Sequence, residues 1–166
     1  IDTDRLSATL IANRINNIDS SSDVFPTTDY NPSTDPFGDD NVAIYITKKI
    51  ALENPATSIK CFFAGHKKTT AEFKVLFKIL RSDQSEDFDD IGYEFFNTTG
   101  IPDKTVAASL DQEDFQDYLY TAGVTDDGIG EPLPEFAQFS IKIVMQGTDA
   151  ANPPRIKDLR VIALAT

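Results

Sequence analysis

Carboxylates in two acidic loops are the residues of this chain best suited to hold a metal ion. Calcium is a hard cation that prefers several carboxylate and carbonyl oxygens. Neither loop has the spacing of an EF-hand, and the alternative is that both are solvated loops without an ion. The candidate calcium ligands are Asp87, Asp89 and Asp90 in one loop and Asp126 and Asp127 in the other. The sequence indicates no other cofactor.

Three tyrosines beside polar residues form a second candidate site. Tyr93, Tyr118 and Tyr120 could stack on sugar rings or press against a partner protein, because a tyrosine ring combines an apolar body with a polar tip. The alternative is that each is a core aromatic whose hydroxyl lies at the rim. The sequence leaves both interpretations open.

Signatures of catalysis are missing from the sequence. There is no Gly-x-Ser-x-Gly motif, and the single histidine, His66, is followed by Lys67 and Lys68, which predicts a solvated turn. One Cys and one His do not make a zinc site. Gly128 and Gly130 lack the third glycine of a dinucleotide-binding motif. Two carboxylates could flank a sugar, as in glycosidases, but the acidic clusters lie in polar loops. The sequence therefore predicts a protein that is not an enzyme.

Composition limits the partners further. The formal net charge of −12 and the pI of about 4.3 argue against nucleic acid and against anionic membranes. No apolar run reaches the roughly 20 residues of a membrane span, and the first residues predict no export signal. The single cysteine, Cys61, cannot form an internal disulfide, which favours a reducing site of folding.

The elements that must position these residues are strands. In residues 139–145, four apolar side chains face one way, while Ser140, Lys142 and Val144 face the other. Replacing Ile143 by Asp is therefore expected to disrupt the core, and replacing Lys142 by Ala is expected to change little. Residues 155–165 alternate as well, with Ile156, Arg160, Ile162 and Leu164 opposite Leu159, Val161 and Ala163. The two segments predict a terminal β-hairpin whose last strand lies in the interior of a sheet.

Alternation and turn signals predict the rest of the fold. Further strands are expected at residues 43–52, 58–65, 71–80 and 115–121, with a short one near Tyr93, and Gly65 to Thr70 resembles a hairpin loop. Seven or eight strands and no confident helix indicate an all-β fold, a jelly-roll-like β-sandwich, over residues 43–166. Residues 1–42 read as an extended N-terminal arm or loop, with a disordered linker as the alternative. Within them, residues 6–15 fit either a strand or a short helix.

Four segments carry a resemblance to a known group of proteins. They are YITKKI at residues 45–50, FKVLFK at 73–78, FSIKIV at 139–144 and PPRIKDLRVIA at 153–163. Together they make residues 41–166 resemble modules of virion structural proteins in tailed bacteriophages. The likeness is greatest to large tail or baseplate-associated proteins of contractile-tailed phages that infect marine bacteria. The closing motif also looks like the last hairpin of several jelly-roll sugar-binding modules.

The resemblance implies a non-enzymatic structural or attachment module of a phage tail or baseplate. It implies other virion proteins or copies of the chain itself as partners, and the virion, made in a bacterial cytoplasm, as the location. No catalytic residues carry over. The alternative is a carbohydrate-binding β-sandwich module that binds a host-surface glycan and holds a structural calcium ion.

Overall fold

The computed structural model describes residues 43–125, 128–147 and 152–165, so the predicted arm at 1–42 lies outside the described residues. Strands account for most of this part of the chain, as the alternating pattern predicts. They are β1 (Ala43–Ile46), β2 (Ile50–Ala56), β3 (Ser58–His66), β4 (Ala71–Arg81), β5 (Glu94–Phe95), β6 (Gln116–Ala122), β7 (Phe136–Gly147) and β8 (Arg155–Leu164).

The strands form two antiparallel sheets. In the first sheet, β1 and β2 pair with β7 one after the other, β7 pairs with β4, and β4 pairs with β5. The second sheet has the order β6-β3-β8. Apolar side chains from one face of each sheet meet in a shared core, which is the layered arrangement of a sandwich. The all-β sandwich predicted from the sequence is confirmed.

Alternation along β7 places its side chains as predicted. Phe139 and Ile141 are 2% and 0% exposed and face the second sheet, where Phe63 and Tyr120 belong to the same core cluster. Because successive residues of a strand point to opposite faces, Ser140 and Lys142 point away from this core.

The predicted terminal hairpin is wrong. β7 pairs with β4, β1 and β2 in the first sheet, whereas β8 pairs with β3 in the second. β7 and β8, although consecutive in sequence, therefore lie in different layers. The Gly65 to Thr70 connection crosses from one layer to the other, since β3 and β4 belong to different sheets. A turn signal shows that the chain reverses, but it does not show which strand the next one pairs with.

β8 lies at the edge of its sheet, not in the interior as the sequence suggested. Its register against β3 shifts between Phe62 and Ala64, which pair with Arg160 and Lys157, so β8 has one extra residue there. Asp158 in this bulge has a φ of 56°. The extra residue turns Ile156 to the inner face, beside Leu159, and corrects the predicted phase of this strand.

The strand predicted at residues 43–52 is interrupted at 47–49, and the turn predicted at 53–56 belongs to β2. Thr47 makes the interruption stable. Its backbone N–H donates to the Ile141 carbonyl at 2.9 Å, and its Oγ1 accepts from the Ile141 N–H at 2.9 Å. β1 and β2 therefore continue along one edge of β7 despite the break.

Candidate functional site

The three candidate tyrosines are buried. Tyr93, Tyr118 and Tyr120 are 5%, 2% and 0% exposed. The rings of Tyr118 and Tyr120 stack on Phe63, with centroids 5.2 and 5.6 Å away. This burial favours the core-aromatic alternative, and the binding role stays a prediction, with Tyr118 also lining a groove at the surface.

The first acidic loop is organised by its own backbone. The Asp87 side chain accepts a hydrogen bond from the Asp89 N–H at 3.1 Å and caps the short 3-10 turn Phe88–Asp90. Within the residues that the structure describes, no group of three or more His, Cys, Asp or Glu side chains is arranged to hold a metal ion. The Asp87 carboxylate is thus used in part by the backbone of its own loop, and the calcium site at Asp87, Asp89 and Asp90 stays a prediction, while Asp126 and Asp127 lie outside the described residues.

The same loop covers the outer face of the first sheet. Leu76 of β4 and Val144 of β7, which point away from the sandwich core, are fully buried against Tyr93 in a second apolar cluster. Lys142 is 0% exposed beneath it. Lys142 lies on the face opposite the core, as predicted, but it is buried, because alternation does not show that a loop packs on this face.

Two buried lysines fasten the loop to the sheet. The Lys78 ammonium donates to the Phe88 carbonyl at 2.9 Å and lies 4.4 Å from the centre of the Phe88 ring. The ammonium groups of Lys78 and Lys142 lie 5.1 and 5.3 Å from the centre of the Tyr93 ring. Cations at these distances are attracted to the ring faces. The Tyr93 hydroxyl in turn shares a hydrogen bond of 3.2 Å with Ser140 Oγ.

Electrostatics agree with a structural role for this cluster. Burial lowers the pKa of Lys78, and the negative charges of Asp89, Asp87 and Asp90 oppose that shift. Burial raises the pKa of Tyr93, and its hydrogen bond with Ser140 opposes that shift. The loop carboxylates therefore partly compensate the buried Lys78 ammonium.

His66 does not lie in a solvated turn. It ends β3, is 2% exposed, and its ring centre is 6.1 Å from that of Phe115. Neither ring nitrogen has a hydrogen-bond partner among the described residues. Cys61 is fully buried, and burial raises the pKa of its thiol to about 12. A protonated, buried thiol is a poor nucleophile.

The outer face of the second sheet carries a groove large enough for a partner, which we call the β3 groove. In the register of the sheet, Phe62 is opposite Leu119 on one side and Arg160 on the other, so these three side chains share a face. Ile162 extends the apolar part and is 45% exposed. The groove has a volume of about 500 Å³, and its further lining includes Asp117 and Asp158.

Sequence reasoning missed the β3 groove. The sequence feature that could have indicated the groove is that β3 is apolar on both faces. Phe62 and Ala64 alternate there with the core residues Cys61 and Phe63. That pattern indicates a strand covered on both sides, and only the structure brings Leu119 and Ile162 from distant parts of the chain to Phe62.

The described part of the chain has no helix with the length and hydropathy needed to span a membrane. Comparison with known proteins gives no match to this chain among family models, curated proteins or solved structures.

Proposed function

We propose that this chain is a non-enzymatic structural or attachment module of a tail or baseplate protein in contractile-tailed phages. The residue patterns at 45–50, 73–78, 139–144 and 153–163 support the assignment to this class. The β3 groove supports the contact role, because a module of a particle must present a surface to its neighbours.

The observation that carries this proposal is the difference between the two outer faces. The outer face of the first sheet is buried beneath residues 82–93 and held there by Lys78. The outer face of the second sheet exposes Ile162 and Leu164 by 45% and 37%. Apolar side chains in the middle of a groove with a polar rim are typical of protein contacts.

Incorporation into particles tests this function. A tagged chain is produced in cells infected by the phage that encodes it, and the purified particles are assayed for the tag. We expect wild type to be incorporated and Ile162→Glu to be incorporated roughly tenfold less, as a loss of about 1.4 kcal/mol in contact energy would give. Leu110→Glu is the matched control, because Leu110 is also apolar and is 85% exposed but lies away from the groove. Absence of the wild-type chain from particles contradicts the proposal.

One feature of the groove favours the second candidate, a carbohydrate-binding module. The Phe62 ring offers an apolar platform, and Arg160, Asp117 and Asp158 offer donors and acceptors beside it. A mostly apolar surface with a few placed polar groups is usual for small-molecule sites. In this form the candidate no longer depends on the three buried tyrosines.

A glycan array read with and without a chelator separates the two candidates. Binding of a sugar that Phe62→Ala abolishes supports the carbohydrate module, and loss of that binding on chelation supports its calcium ion. If the array shows no binding while the chain enters particles, the structural role is favoured. Val106→Ala is a control for the array, since Val106 is half-buried outside the groove.

A further inference from the structure

A separate pocket lies where β3 ends, on the outer face of the second sheet. We infer that it binds a phosphate group, a role that does not depend on the function proposed above. The pocket has a volume of about 230 Å³ and is lined by His66, Gln112, Asn152, Pro153 and Arg155, none of which lines the β3 groove. The Gln112 side-chain amide donates to Asn152 Oδ1 at 3.1 Å and so links the two connections that border the pocket.

His66 gives the first reason to expect a ligand. Its side chain is 2% exposed, and neither ring nitrogen has a hydrogen-bond partner among the described residues. Buried polar groups in proteins almost always have a partner, because leaving one unpaired costs free energy. An imidazole carries at least one N–H donor in either protonation state. The pocket therefore presents a buried donor that an oxygen atom of a ligand would satisfy.

Arg155 makes the pocket suitable for an anion. It is opposite His66 in the register of the sheet, so the two side chains share one face. The guanidinium donates one hydrogen bond to the Gln112 carbonyl, which leaves most of its five N–H groups for a ligand. Within the described residues Arg155 forms no ion pair, and none of the five lining residues is acidic. A guanidinium beside an imidazole N–H can contact two oxygens of one phosphate.

A second cation lies against the same aromatic ring as Arg155. The centre of the Phe115 ring is 4.0 Å from the Lys157 ammonium, 5.3 Å from the Arg155 guanidinium carbon and 6.1 Å from the centre of the His66 ring. Two cations held by one ring repel each other, and a nearby anion relieves this repulsion. A phosphate ester carries a charge of about −1.5 to −2 at pH 7, whereas a carboxylate carries a single charge. The charges therefore favour phosphate.

The acidic residues of the loop before β6 are engaged within their own part of the chain. Asp111 accepts a hydrogen bond from the Glu113 N–H at 3.0 Å, and Asp114 accepts one from the Gln116 side chain. The other carboxylates of the chain contribute to the net charge of −12. At about 0.1 M salt, exposed charges more than roughly 10 Å apart are largely screened. The local cations therefore decide which ions the pocket attracts.

The single histidine provides a direct readout of binding. Since the sequence contains one His, its Cε1–H signal in a proton–carbon NMR spectrum is identified without assignment. Sodium phosphate is titrated into the full chain at constant pH 7, with sodium chloride at equal ionic strength as the reference. We expect a saturable shift with phosphate and none with chloride. Equal shifts with both salts, or no shift, overturn the inference, because water would then serve the ring nitrogens.

Two arginines of β8 form a matched pair of variants. Arg155→Gln and Arg160→Gln remove the same charge, but Arg160 lines the β3 groove and not this pocket. We expect Arg155→Gln to raise the Kd for phosphate about tenfold, as loss of a hydrogen bond to a charged group would, and Arg160→Gln to change it less than about twofold. A Kd that Arg155→Gln leaves unchanged overturns the inference. Equal weakening by both variants also does, since net charge would then explain it.

Arg155→Lys keeps the result interpretable if Arg155→Gln lowers the urea midpoint so far that the chain does not fold. This variant retains the positive charge and loses the planar fork of donors, so the Kd should rise roughly threefold. An unchanged Kd in Arg155→Lys, together with an unfolded Arg155→Gln, would mean that Arg155 acts on the fold alone and would overturn the inference.

Two further probes identify the source of the phosphate. Tighter binding of glycerol 3-phosphate than of inorganic phosphate supports a phosphate group that belongs to a larger molecule, and the reverse order supports the free ion. Sodium acetate is the third probe and should bind more weakly than either. Acetate that binds as tightly as phosphate would overturn the assignment to phosphate.

Discussion

Lys142 and Ile143 are neighbours on β7 that point to opposite faces, and both are buried. Ile143 lies in the core between the sheets, and Lys142 lies under residues 82–93 beside Tyr93. Alternation along the strand is enough to predict which face each residue takes. It does not predict what packs on that face, because the covering loop depends on Phe88 and Tyr93 and not on β7. The burial of Tyr93, Tyr118 and Tyr120 was missed for the same reason. Polar neighbours in sequence do not show whether a side chain is exposed.

Ile143→Asp should cost several kcal/mol of unfolding free energy or prevent folding, because it leaves an unpaired charge in the core. Lys142→Ala should cost about 2 kcal/mol, because it removes a buried aliphatic stem and a desolvated cation–aromatic contact. Urea denaturation measures both. Lys104→Ala, on an exposed loop, is the control and should change the midpoint little. A Lys142→Ala protein as stable as that control would show that the cluster under the loop contributes nothing.

The strands themselves were largely predictable, and their pairing was not. In β4 and β7 the period of two comes from local backbone geometry, so the sequence places Phe73, Val75 and Ile141 on the core side. Assignment of β8 to the second sheet depends on contacts with β3, about a hundred residues away in sequence. The bulge at Asp158 also cannot be predicted from the alternation of residues, because it adds one residue to β8 and changes the phase of the strand. For the same reason the β3 groove, which joins three distant strands, could not be read from the chain.

The bulge in β8 gives a prediction for this strand. Asp158 has a φ of 56°, a conformation that Asp and Gly tolerate and β-branched residues avoid. Asp158→Val should lower the unfolding free energy by about 1–2 kcal/mol, and Asp158→Gly should leave it nearly unchanged. Urea midpoints of the two variants provide the measurement. Equal destabilisation by Val and Gly would mean that the Asp158 side chain matters and its backbone conformation does not.

At the scale of the whole molecule, the sandwich is asymmetric. One outer face is closed by an acidic loop over buried lysines, and the other carries the β3 groove. Between them lies a core that holds three groups with raised pKa values, Cys61, Tyr118 and Tyr120, and a fourth such group, Tyr93, lies under the loop on the outer face of the first sheet. Burial is the first cause in each case, so the folded chain opposes deprotonation of each of these groups.

Stability should therefore fall at high pH. The pKa of Cys61 rises from 9.0 to about 12 on folding, and that of Tyr118 from 10.0 to about 12. Because the folded chain holds these protons more tightly, their stabilisation is complete below pH 9 and is lost as the pH rises towards 12. Folding lowers the pKa of Lys78 from 10.5, so this group makes stability increase as the pH rises towards 10.5. It is a single group, set against several whose pKa is raised.

Urea midpoints measured from pH 8 to pH 11.5 should decline above pH 9. Cys61→Ala should flatten the decline most between pH 9 and 9.5, where the tyrosines of the unfolded chain, with a reference pKa of 10.0, are still largely protonated. A midpoint that stays constant to pH 11 would contradict the expected response.

Burial of the single cysteine has a practical consequence. Cys61 is the one thiol in the sequence and is 0% exposed on the central strand β3. A thiol-specific label can attach only when the two layers separate. Its rate of attachment in native buffer therefore measures the opening of the whole domain and is not affected by local fraying at the strand ends. The chain thus contains its own kinetic probe at a position where no engineered substitution is needed.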